Sequence, residues 1–424
     1  MKLGVLTSHP IQYNAPVFRA LARRTGVELE VFFCHDHGLK PSFDAGFGRT
    51  ICFDVPLIEG YKHRFLRSFP RKAGVHPLTL APEVLSPLLA ERFDAIVVYG
   101  YATITNAVTL LLPRCQTRIL LRGDSNIRQP RSSRKAALKS FVLPWLFRRV
   151  DQFLAIGSLN AEYYRSYGVP AERITLAPFS VDNGYFAERA ARVRPGRDSL
   201  LRDMGLGAAG PVFLFAGKLM GLKRPLDILR AFATVRATRA CSLAIAGDGA
   251  LAAEAKREAG RLGIESHVRF LGFRNQSEIA ALYGVCDVLV LASDTEAWGL
   301  VVNEAMAAGM CAIVSDQVGA GPDLVHDREL VFPSGNVAEL ARVMARMCDD
   351  PQWLAKCRRE AGARIAGWDI ENTVDGIVDG VAIALGRSRA LSSPARGPAR
   401  RRPLHVVTAD DSVSGGGELR YPSR

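Results

Sequence analysis

Two glutamates, Glu296 and Glu304, are separated by seven residues in the stretch Thr295-Glu296-Ala297-Trp298-Gly299-Leu300-Val301-Val302-Asn303-Glu304-Ala305-Met306-Ala307. Short apolar runs at 286–292 and 311–316 read as buried strands on either side, so the glutamates sit in a strand, loop, helix, strand unit. Glu296 falls in the loop and Glu304 inside the helix. Gly299, Leu300 and Val301 are expected in the first helical turn, where backbone N–H groups and the positive end of the dipole can hold an anion. A carboxylate, an anion cradle and a second carboxylate in that order match the sugar hydroxyls, diphosphate and ribose of a nucleotide-sugar. The plain alternative is that any helix can carry two glutamates.

Three further blocks come before this stretch. They are Phe215-Ala216-Gly217-Lys218-Leu219 followed by Lys223-Arg224-Pro225, then Ala246-Gly247-Asp248-Gly249, then Val268-Arg269-Phe270-Leu271-Gly272. With these four blocks in this order, residues 211–335 closely resemble the retaining glycosyltransferases of family 4, also called glycosyl transferases group 1. The resemblance implies an α/β protein of two doubly wound, Rossmann-like domains facing a cleft, the GT-B fold. It also implies a nucleotide-diphosphate sugar as donor, moved to a glycan or lipid-linked acceptor in cell-surface polysaccharide synthesis.

Breaking the anomeric C–O bond of such a donor puts charge on the leaving phosphate, which the site must chiefly stabilise. Lys218 and Lys223, five apart just after a strand, match the family's basic pair. A lysine at 218, where arginine is commoner, keeps the charge and loses the bidentate geometry. By the same resemblance Glu296 hydrogen-bonds donor-sugar hydroxyls, Glu304 takes the ribose hydroxyls, and the amides of Gly299, Leu300 and Val301 take the diphosphate. Gly217, Gly247 and the run Gly272, Phe273, Arg274 line the donor and its base. Lys223 and Glu304 are expected to face a polar cleft. Beside the base pocket, Phe273-Arg274-Asn275-Gln276 offers no carboxylate for the N–H donors of guanine, so uridine is the expected base. The chain has no Asp-x-Asp triplet, and two lysines with a helix N-terminus supply positive charge, so no metal or other cofactor is expected.

The N-terminal half resembles the family less. His9-Pro10-Ile11-Gln12-Tyr13 follows the first strand where many members carry a glycine pair, and Arg122-Gly123-Asp124-Ser125 stands where a histidine is often found. His9 and Asp124 are the candidates on the acceptor side, each also readable as an ordinary loop or capping residue. Two rival classes remain open: a nucleotide-sugar epimerase of the same fold, and a non-catalytic carbohydrate-binding protein. The two lysines argue against the second.

These residues need a large scaffold, and 424 residues with 48% hydrophobic and 23% charged content suit two domains. Strand and helix patterns alternate throughout, which implies parallel sheets covered on both faces. The expected division is an acceptor-side domain over 1–187, a linker at 188–210, a nucleotide-sugar domain over 211–366, a helix returning to the first domain over 367–386, and a disordered basic tail over 387–424. No run reaches the roughly 20 apolar residues of a membrane span. The N-terminus reads as a first strand rather than a signal peptide, and the eight cysteines read as small buried side chains of a reducing cytoplasm.

The net charge of +13 is partly concentrated between 128 and 149, where Arg128, Arg131, Arg134, Lys135, Lys139, Arg148 and Arg149 alternate with Phe141, Val142, Leu143, Trp145, Leu146 and Phe147. Two readings stand: a segment lying on an anionic cytoplasmic membrane surface, or a solvated helix packed on its own domain. Pro144 is expected to interrupt any single long helix here. No nucleic-acid-binding module accompanies the charge, so no nucleic-acid partner is expected.

Overall fold

The computed structural model describes residues 1–69, 77–84, 92–111, 117–129, 133–207 and 209–387, with backbone only for 133–136. The basic tail from 388 onward, Arg131, and the side chains of Arg134 and Lys135 lie outside the described residues.

Two parallel sheets organise the chain. The first contains β1 (Lys2–Thr7), β2 (Glu28–Phe33), β5 (Lys62–Phe65), β6 (Ala95–Tyr99), β7 (Arg118–Arg122), β8 (Gln152–Ala155) and β9 (Ile174–Leu176), in the order β5-β2-β1-β6-β7-β8-β9. Between β2 and β5 a small antiparallel hairpin, β3 (Ser42–Asp44) and β4 (Arg49–Ile51), stands apart from this sheet. The second sheet contains β10 (Val212–Ala216), β11 (Ser242–Ala246), β12 (Val268–Gly272), β13 (Val288–Leu291), β14 (Cys311–Ser315) and β15 (Val331–Phe332), in the order β12-β11-β10-β13-β14-β15. β10, β11, β13 and β14 are buried along their whole length, as expected of continuous apolar runs covered by helices on both faces. The strand order reverses between β10 and β13, and at such a switch point the loops leaving adjacent strands diverge and open a crevice. Lys218 and Lys223 follow β10, and Glu296 follows β13, so the candidate residues flank that crevice.

The helix Ile370–Ala384 packs on the first sheet, with Val374, Ile377, Val378 and Val381 in one core with Leu3, Val5, Leu120 and Leu154. A Cβ on Gly376 would lie 2.3 Å from the Leu176 carbonyl oxygen, so only glycine lets this helix sit so close to the sheet.

Two expectations need correction. Residues 188–210, read as a linker, are largely folded as part of the helices Asn183–Val193 and Arg197–Asp203. Ala190, Leu201 and Leu206 from this region belong to the same core as β10 and β13. The abundance of Arg and Gly hid an amphipathic pattern whose apolar positions are few but fully buried. Pro144 does not divide the basic segment, because Ser133–Phe147 is one helix containing it. The proline lies in the last turn, with only three helical residues after it, and Ser140, whose carbonyl loses its N–H partner, is exposed.

Candidate active site

Gly217, Gly247 and Gly272 form a layer across the ends of β10, β11 and β12. The Gly217 N–H donates to the Ala246 carbonyl at 2.9 Å and the Gly247 N–H to the Gly272 carbonyl at 2.8 Å. Gly217 and Gly247 have φ of +151° and +155°, and a Cβ on Gly247 would meet the Gly217 carbonyl oxygen at 1.8 Å. These glycines bring three strand ends within backbone contact and keep the floor of the crevice low.

After this floor the chain turns through Gly221–Lys223 and reaches Arg224 at φ +50°. A residue before proline is pushed out of the right-handed helical region, and Arg224 takes the left-handed one instead. Its guanidinium holds Asp227 and both oxygens of Asp294, the latter at 2.9 and 3.0 Å, which ties the turn to the end of β13. This anchoring fixes Lys223, whose ammonium forms a close ion pair with Glu296.

Lys218 is engaged differently. Its Nζ donates to both carboxylate oxygens of Asp44 at 3.0 Å, reaching from β10 to the hairpin of the N-terminal half. Burial would raise the Asp44 carboxyl, but hydrogen bonds from Lys218 and from the amides of Phe47 and Gly46 hold it below its ordinary value.

The loop carrying Glu296 is pinned from several sides. Trp298 is buried, stacks on Trp368 with ring centres 5.2 Å apart, and donates its indole N–H to Asn303 Oδ1 at 2.8 Å. Asn126, after β7, donates to the carbonyls of Glu296 and Ala297 at 3.2 and 2.8 Å. Gly299, at φ +95°, is the N-cap of the helix Leu300–Ala307 rather than a member of its first turn. Leu300 and Val301 form that turn.

Glu304 does not face an open polar cleft as expected; it is 4% exposed. Tyr283 donates its hydroxyl to Glu304 Oε2 at 2.6 Å, and the Tyr13 hydroxyl lies near the same carboxyl. Burial pushes the carboxyl up to about 7, while the two tyrosine hydroxyls act in the opposite direction. The folded chain therefore binds this proton more tightly than an ordinary glutamate of 4.5. The stability contributed by this group is full below that value, declines as pH rises towards the folded value, and is level above it. In urea titrations the unfolding free energy of the wild type should fall between about pH 5 and 7 more steeply than that of Glu304→Gln. Parallel pH profiles for the two proteins would count against this environment.

At the edge of the floor Phe273 meets Phe47 edge-on, with ring centres 4.9 Å apart, and lies under the Arg49 guanidinium at 5.4 Å. Arg274 is turned away to Glu278 at 2.8 Å. Asn275 caps the helix Gln276–Val285 through a capping box.

The two acceptor-side candidates lie on the first sheet's loops. His9, after β1, has its ring 5.2 Å from that of His37, and burial followed by the neighbouring His37 and His35 pushes it down to about 4. Asp124 is exposed after β7. Neither is hydrogen-bonded to the lysine and glutamate group among the described residues. Asp44, Tyr13 and Asn126 were not foreseen. Only Tyr13 carried a signal, since it falls in the loop that replaces the family's glycine pair.

Two parallel α/β sheets with basic and acidic side chains gathered at a switch point define a GT-B glycosyltransferase fold. Residues 10–179 match the glycosyl transferase 4-like domain, and residues 199–364 match glycosyl transferases group 1. The chain belongs to the group 1 glycosyltransferases. It is 32% identical over 229 residues to a D-inositol 3-phosphate glycosyltransferase of Thermomonospora curvata, covering 50% of this chain and 52% of that protein. The chain thus aligns with about half the length of this curated relative. Among solved structures, α,α-trehalose 6-phosphate synthase of Burkholderia multivorans superposes with a TM-score of 0.68 at 15% identity, over 93% of this chain and 99% of that one. HepE of Anabaena, crystallised with UDP, superposes with a TM-score of 0.67 at 18% identity, over 90% of this chain and all of the other.

Proposed function

We propose that this chain is a retaining glycosyltransferase that moves a sugar from a uridine-diphosphate sugar to a glycan or lipid-linked acceptor. The observation that carries this reading is the gathering of Lys218, Lys223, Glu296, Glu304 and the start of the helix Leu300–Ala307 around one switch point. In this reading the two lysines and the amides of Gly299, Leu300 and Val301 take the charge that grows on the leaving diphosphate as the anomeric C–O bond breaks. Glu296 accepts hydrogen bonds from the donor sugar and Glu304 from the ribose, while Gly247, Gly272 and Phe273 border the base. The acceptor hydroxyl attacks from the face that the diphosphate leaves, and its proton passes to the leaving phosphate oxygen. The positive charge comes from side chains and amides, so transfer needs no divalent metal. The UDP complex of the Anabaena protein supports the choice of nucleotide. UDP should raise the melting temperature in a panel of nucleoside diphosphates, because a ligand of the native state stabilises it. A larger rise with GDP would reverse the choice of base.

The acceptor reading places the enzyme at the cytoplasmic face of a membrane. Among the described residues no helix is long and apolar enough to cross one. In the helix Ser133–Phe147, Leu143, Leu146 and Phe147 are buried in their own domain, while Leu138, Phe141, Val142 and Trp145 are exposed by 65%, 83%, 39% and 50%. The spacing of these four puts them in one stripe, and Lys139, Arg148 and Arg149 lie near it. An apolar stripe beside cations suits insertion into an anionic leaflet. Phe141→Ser with Trp145→Ser should reduce sedimentation with phosphatidylserine vesicles and leave hydrolysis of a soluble donor unchanged. A wild-type protein that ignores such vesicles at low salt would point to a soluble acceptor instead.

A further inference from the structure

A side chain from the N-terminal half holds one of the groups that the donor reading assigns to the nucleotide. It is Asp44, whose carboxylate receives Lys218 Nζ on both oxygens at 3.0 Å. It is set in place locally, since its Oδ1 also accepts the backbone N–H groups of Gly46 and Phe47 at 2.8 and 3.1 Å. The hairpin that carries it is seated on the second sheet's loops. Asn275 Nδ2 donates to the Cys52 carbonyl at 2.6 Å, the Ser277 N–H donates to Asp54 at 3.1 Å, and Phe47 abuts Phe273. A Cβ on Gly46 would lie 2.6 Å from the Lys218 side chain, so the hairpin closely covers that lysine.

A carboxylate on an ammonium repeats the contact that a phosphate makes there.

We propose that Asp44 sets the affinity for the nucleotide by holding Lys218 in a phosphate-like contact, which the diphosphate must displace when it binds. The proposal rests on the donor reading given above. Its consequence is an exchange: the nucleotide gains Lys218 only as the hairpin gives it up. Asp44, if it stays nearby, also opposes the diphosphate by like charge. The Lys218–Asp44 pair is partly exposed, at 35% and 24%, so its grip is modest and screened by salt.

Isothermal titration of the full chain with UDP tests this. Asp44→Asn should tighten UDP binding about fivefold. It should also lower the melting temperature of the protein without nucleotide. A merely structural role would weaken binding along with stability, so the opposite signs are the discriminating result. The gain should vanish in a Lys218→Met background. UDP binding that is unchanged or weakened in Asp44→Asn overturns the exchange alone, as does tightening that persists in the Lys218→Met background. If neither the wild type nor any variant binds UDP or GDP, the donor reading fails and the exchange fails with it.

Discussion

Replacing Lys223 by methionine is expected to lower donor turnover by about two to three orders of magnitude, the usual cost of removing one group that meets charge developing in a transition state. The side chain is placed for that role by backbone geometry more than by its own flexibility. Arg224, held in the left-handed region and anchored on Asp227 and Asp294, fixes the turn that presents the ammonium. In the structure that ammonium is paired with Glu296, so the substitution also leaves a partly buried carboxylate without its counter-charge. Methionine keeps the apolar stem of lysine, and the fold should survive. The loss should therefore appear in kcat/KM for the soluble donor with little change in the urea midpoint. Wild-type kinetics in this variant would remove Lys223 from the site.

Gly247→Ala should destabilise the second domain by about 3 kcal/mol or more. Its φ of +155° disfavours any side chain, and the added methyl would meet the Gly217 carbonyl oxygen at 1.8 Å. The obstacle is backbone from a neighbouring strand end, which no rotamer change relieves. Moving it would also displace the Gly217 N–H bonded to Ala246 and disturb the floor beneath Lys218. Urea unfolding of the two proteins measures the effect, and a difference below about 1 kcal/mol would mean that the strand ends yield more easily than their packing implies.

The donor side was legible in the sequence because its residues follow long apolar strands. Each strand announces its own end, and the glycines there must lie at the carboxyl ends of the strands, as Gly217 and Gly247 do just after β10 and β11 and Gly272 does at the last position of β12. What was not legible came from contacts between distant segments. The hairpin β3 and β4 is three residues a side and mostly exposed, with no apolar period, so nothing in 42–51 marks Asp44 as the partner of Lys218. Asn126 reaches Glu296 and Ala297 across 170 residues of chain. The burial of Glu304 was likewise hidden, since its carboxyl is met by the Tyr283 hydroxyl from a separate helix, Gln276–Val285. The helix through Pro144 and the folded stretch after 188 are obscured for a simpler reason. Composition masks position there: a proline in a last turn, and a few apolar residues spaced for a helix among many arginines.

If these residues transfer a sugar from a nucleoside-diphosphate donor, release of the nucleotide must depend on an acceptor. Purified chain is incubated with each of a set of uridine- and guanosine-diphosphate sugars, with and without membrane glycolipid extract, and free nucleoside diphosphate is measured in the presence of a chelator. One uridine donor should release UDP, release should rise sharply when acceptor is added, and the chelator should leave it unchanged. Conversion of the donor into an isomeric sugar with no dependence on acceptor, or no release from any donor by a folded protein that binds UDP, would contradict it.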